Sequence, residues 1–218
     1  MIPRYSVDID PRLPSEATFW MPNVEELAEE DQLGDFHDAW LIETDLDEAT
    51  VVIAAELEAV TYVDGHSANA EEFDELADQI EFEQPDVPSD EAPDFFTSTE
   101  AWPGVEGLEL GVAGISYALN AIGIITAASC RGHDAEHRRW SEYPVVIFAG
   151  DRRRAQIVQR LAMQTSCGFE VGEDRSQFLT LYAASVTGLM ALAQQIIDHA
   201  DEFVAQDPNQ AQTARGRL

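Results

Sequence analysis

Residues 128–133 read Ala128-Ser129-Cys130-Arg131-Gly132-His133, and His137 follows, so a thiol and two imidazoles fall within eight positions. Thiolate and imidazole are the donors that suit zinc, and the Cys-x2-His-x3-His spacing allows all three to face one ion. Cys167, the second of two cysteines, is the candidate fourth ligand, provided the fold brings it near. The metal set expected from spacing is therefore Cys130, His133, His137 and Cys167, with zinc as the cofactor. The same segment supports a reactive thiol. Basic neighbours favour thiolate, the nucleophilic form of cysteine, which would make Cys130 and His133 a catalytic pair. The plain alternative is a small buried cysteine beside a histidine that ties down its loop.

Arginines surround this segment. Arg131, Arg138 and Arg139, with the run Arg152-Arg153-Arg154, offer an anion site. They could instead pair with the acidic first half of the same chain. The second option needs no ligand and is the expectation.

The elements that must position these residues lie in the second half. Apolar residues at Val105, Leu108, Val112, Ile115, Leu119 and Ile122 recur every three or four positions, as on an amphipathic helix. Gly111 and Gly114 interrupt that helix and point to the close approach of another element. A short apolar strand ends at Cys130, and a second runs through residues 145–149. Asp151 is placed to cap a helix. Residues 169–171 and 178–182 read as a hairpin, and Ser185 is placed to cap a last helix. The order α-β-β-α-β-β-α with short loops predicts a two-layer α+β domain over 105–205, with a mixed or antiparallel sheet and helices on one face. An acidic, mainly helical region is expected over 1–82, a Pro- and acid-rich linker over 83–104 and a flexible tail over 206–218. Within the first region, Asp45 or Asp47 would cap a helix through the β-branched residues 50–53. Asp64-Gly65 would turn the chain, and Asn69 or Ser67 would cap the next helix.

Charge divides the chain. Between Leu13 and Cys130 there are 29 acids and no Lys or Arg, whereas from Arg131 to Leu218 ten Arg face eleven acids. The chain has no Lys, and its formal net charge is −30. Phosphate repels such a surface, which disfavours direct nucleic-acid binding by the first half. A basic protein surface is the partner that the acids would attract, through a cluster such as Glu71, Glu72, Asp74 and Glu75. No apolar run reaches the roughly 20 residues that span a bilayer, so no membrane association is expected and a cytoplasmic location is the default.

The sequence Thr126-x-x-Ser129-Cys130-x-Gly132-His133, a loop, and then Pro144-x-Val146-x-Phe148 resembles an uncharacterised bacterial family with an S-C-x-G-H segment before a P-x-V-x-F strand. The likeness spans roughly residues 107–198. More distantly, the Ser-Cys strand end and the later Gly168-Phe169 are similar to the wybutosine-synthesis tRNA methyltransferase family, which has Arg where this chain has His133. That likeness would imply nucleic-acid-related chemistry.

Two functional expectations follow. One is an acidic accessory protein that engages a basic partner, as an immunity-like or phage-defence component would. The other is an enzyme or metal-binding domain built on Cys130, His133 and His137.

Overall fold

The computed structural model describes residues 1–22, 42–82, 108–133, 141–172 and 175–204. The expected linker and tail, and His137, Arg138 and Arg139, lie outside these residues.

The protein is α+β, with a helical N-terminal region and a four-stranded antiparallel sheet. Helix α1 spans Leu46–His66, and the Asp45 side chain caps it by accepting the Glu48 amide. Its β-branched residues do not make a strand, because Val52, Ile53, Val60 and Val63 fall on the buried face of a helix and tertiary burial outweighs their propensity. The turn expected at Asp64-Gly65 is absent; the helix continues through both residues to His66. Helix α2 spans Ala70–Phe82. Asn69 accepts the Glu72 amide at 2.9 Å while the Glu72 carboxylate accepts the Ala68 amide at 2.8 Å, a reciprocal cap. Phe73, Ala77 and Ile80 of α2 pack on Ala59, Val60 and Val63 of α1 and on Leu110.

Helix α3 is shorter than the apolar period suggests. It spans Ala113–Ala121, because Gly111 takes φ +93° and turns the chain just before it. The strands are β1 Ile125–Cys130, β2 Val145–Ala149, β3 Cys167–Gly172 and β4 Arg175–Ala183, in the order β1-β2-β4-β3. Helix α4, Arg152–Ala162, is capped by Asp151, and helix α5 spans Val186–Asp198. Ser185 stands at the N-cap of α5, but its hydroxyl makes no capping bond and is buried without a partner.

Helices α3, α4 and α5 pack on one sheet face, where Val146, Phe148, Leu179 and Leu181 meet Ile115, Val158 and Leu189. The opposite face is covered by the N-terminal segment. Val7 and Ile9 lie against Tyr182, and Trp20 meets the Phe178 ring edge-on at 5.6 Å. The N-terminal helices belong to the same packing, since Ile53 of α1 is part of the main core. Among the described residues, no helix is long and apolar enough to cross a membrane.

Candidate functional site

A β-bulge aims Cys130. In β1, Thr126 pairs with Phe148, whose side chain lies on the helix-covered face. Four residues later the same face would be expected, because strand side chains alternate. The register shifts between Thr126 and Ala128, and Cys130 pairs with Val145 on the opposite face instead. One extra residue thus reverses the strand's facing.

The next three residues turn sharply. Gly132 has φ +84°, and a Cβ there would lie 2.6 Å from the Tyr143 carbonyl carbon, so only glycine fits. Its amide donates to Cys130 Sγ at 3.4 Å, and its carbonyl accepts from Tyr5 Oη at 2.7 Å. The His133 amide donates to the Ser141 carbonyl at 3.1 Å. These bonds return the chain so that His133 and Cys130 face the same space.

The Arg131 side chain runs into carboxylates. Its side chain is 0% exposed. Nε donates to Asp74 at 3.2 Å, and the two terminal nitrogens donate to Asp78 and Glu81. These three acids lie at i, i+4 and i+7 of α2, on one helix face. The Arg131 amide donates to Glu109 Oε2 at 2.7 Å. Burial opposes the guanidinium charge, but Glu81, Glu109, Asp74 and Asp78 outweigh it and raise the group above its ordinary range. Burial, with Glu109 and Asp78 nearby, pushes the Glu81 carboxyl up to about 7 despite Arg131.

His133 is held between two carboxylates. Nε2 lies 3.2 Å from Glu109 Oε2 and Nδ1 lies 3.6 Å from Asp74 Oδ2. Burial disfavours the imidazolium, yet the contacts with Asp74, Cys130 and Glu109 prevail and raise it to about 11. Burial would raise Glu109, but His133 and the Arg131 amide and charge hold it at about 2.

Donor atoms of Glu109, Cys130 and His133 all lie within 4.8 Å of one another, so this group could hold a metal ion. A tetrahedral zinc holds its donors roughly 3.3–3.8 Å apart, and the imidazole and carboxylate already stand 3.2 Å apart. Asp74 on the far ring nitrogen reproduces the carboxylate–histidine–metal arrangement that fixes a ligating imidazole.

Of the ligands expected from spacing, the structure brings Cys130 and His133 together. Cys167 is a correction. It pairs with Ala183 on the helix-covered face, whereas Cys130 lies on the opposite face at the other sheet edge. Three strand spacings separate those edges, about 14 Å, and burial pushes the Cys167 thiol up to about 12. In the structure Glu109, not Cys167, stands beside Cys130 and His133. Spacing could not find it, because Glu109 is one of 29 acids between Leu13 and Cys130 and no neighbour in sequence marks it as a ligand.

The arginines also divide. Arg131 pairs with the acidic first half. Among the described residues, the run Arg152-Arg153-Arg154 contacts other groups: Arg152 stands 4.3 Å over the Phe19 ring, Arg153 donates to the Phe203 carbonyl at 3.1 Å, and Arg154 binds Asp151 and the Ile122 carbonyl. Of the acidic cluster, Asp74 is committed to Arg131 and His133, while Glu71, Glu72 and Glu75 are exposed. Comparison with known protein families, with curated proteins and with solved structures finds no match.

Proposed function

We propose that this protein binds a zinc ion through Glu109, Cys130 and His133. The observation that carries the reading is the convergence of carboxylate, thiol and imidazole within 4.8 Å at the end of β1, with Asp74 behind the imidazole. The local charge agrees with it. Four carboxylates (Asp74, Asp78, Glu81 and Glu109) face two cations, Arg131 and His133, so the cluster carries negative charge in excess. Three protein ligands leave a tetrahedral ion one open position, and a bound metal would there supply Lewis acidity and an activated water.

The test is zinc content in variants. C130S, H133A and E109Q should each lose most of the bound zinc, whereas C167S should keep it. H137A distinguishes a fourth protein ligand from water. Zinc retained in the first three variants and lost in C167S would contradict the assignment.

A second reading concerns the surface. Asp47 and Glu48 on α1, and Glu71, Glu72 and Glu75 on α2, are exposed, and such acids suit docking to a basic protein. E71Q/E75Q should weaken recovery of such a partner at low salt without altering zinc content. Equal recovery by this variant would contradict the surface reading alone.

A further inference from the structure

Glu56 lies midway along α1, 1% exposed, among apolar neighbours that include Ile53, Ala59 and Val60. A carboxylate there is costly to bury unless it is well bonded. Its Oε1 accepts the amides of Gly111 at 2.8 Å and Ala113 at 2.9 Å. Those amides open helix α3, whose own N-cap residue, Val112, offers no side-chain acceptor. The cap therefore comes from a different helix, 55 and 57 residues away in sequence.

The turn that Glu56 grips is the one that carries Glu109. The Leu110 amide donates to Glu81 at 2.6 Å, and the Val112 amide donates to the Glu109 carbonyl at 3.2 Å. With Gly111 and Ala113 on Glu56, each amide from Leu110 to Ala113 has an acceptor. The turn is shaped to receive the carboxylate: a Cβ on Gly114 would lie 2.5 Å from Glu56 Oε2, and one on Gly111, at φ +93°, would lie 2.5 Å from Val186 Cβ. Burial pushes Glu56 up to about 7 while the backbone amides pull it down. A hydroxyl at the N-cap would end the helix at lower desolvation cost. A carboxylate from α1 does more, because it ties the position of the Glu109 turn to the N-terminal region.

We propose that Glu56 is a positioning residue of the metal site, holding the Leu110–Ala113 amides so that Glu109 reaches Cys130 and His133; this rests on the zinc reading above. Zinc affinity is measured in the full chain by competition with a chromogenic chelator, beside the melting temperature of the metal-free protein. E56A should bind zinc about 10–100-fold more weakly, the range for loss of an outer-shell partner. E56Q keeps an oxygen for Gly111 and Ala113 and should retain most of the affinity. F178L removes buried volume beside Trp20, in a cluster that holds no residue of the turn. It should melt lower yet bind zinc as the parent does. Should E56A fail to fold, G114A displaces the same carboxylate and should weaken zinc binding likewise. E56A, or G114A in its place, binding zinc as tightly as the parent, or losing no more affinity than F178L, would overturn the role of Glu56. A parent protein that binds no zinc would overturn the metal reading, and this role with it.

Discussion

Arg131 Nε and Asp74 Oδ1 lie 3.2 Å apart and 57 residues apart in sequence. The contact makes the acidic helix a structural counterpart of the S-C-x-G-H segment. Asp74 reaches Arg131 with one oxygen and His133 with the other, so one α2 side chain touches both basic residues of the segment.

Removing the arginine should therefore be severe. R131M leaves Asp74, Asp78 and Glu81 clustered without their cation, and breaking such a buried pair typically costs about 3–5 kcal/mol. The urea midpoint should fall accordingly. R131M combined with D74N, D78N and E81Q should recover much of that loss, because the unpaired charges go with the arginine. An R131M midpoint equal to the parent's would show that the cluster does not hold the fold.

Stability should also depend on Glu56 ionisation. Burial moves this carboxyl from 4.5 to about 7 in the folded chain. Between those values the folded state keeps a proton that the unfolded state has lost, so stability is full below 4.5 and falls as pH rises through 7. E56Q lacks this ionisation. Its stability relative to the parent should rise across that window by on the order of 3 kcal/mol, at 1.36 kcal/mol per unit. A constant difference from pH 4.5 to 8 would contradict the buried ionisation. His133 acts in the same direction as Glu56 at higher pH, and Glu109 in the opposite one. The contribution of His133 is full below 6.5 and lost toward 11, and that of Glu109 is full above 4.5 and lost toward 2.

The two halves should stay together after the chain is cut. A specific protease site inserted between Glu83 and Pro103 separates α2 from α3 covalently. Glu56 and the Arg131 cluster still join them. The cleaved protein should elute as one species in native size-exclusion chromatography and separate in urea. Two species under native conditions would mean that these contacts are too weak to act as a joint.

Much of the fold was legible because its signals are local. Asp45 and Asp151 cap helices as their sequence neighbours suggest, and the apolar strand before Cys130 and the hairpin follow from periodicity. The misses have physical causes. The period through Leu108 and Val112 suggested helix, but it could not show that Gly111 takes positive φ and starts α3 later. Cys167 looked like a ligand because zinc favours sulfur, and the facing of Cys130 was hidden by a one-residue bulge. Glu56, Glu81 and Glu109 were unreadable as site residues because their partners are 22 to 57 positions away. One signal was present: Asp74, Asp78 and Glu81 share a helix face beside the apolar Phe73, Ala77 and Ile80, which marks acids at the edge of a buried surface.

Zinc stoichiometry tests the central claim most directly. Elemental analysis of the purified full chain should find about one zinc per molecule, matching a single Glu109–Cys130–His133 centre. A chelator should remove it and lower the melting temperature, and added zinc should restore that temperature, because a metal bound only by the folded state adds to its stability. Affinity should rise with pH, since ligation takes the proton from His133. Protein that is metal-free as purified, takes up no zinc when it is supplied, and melts at the same temperature with and without it would contradict the account.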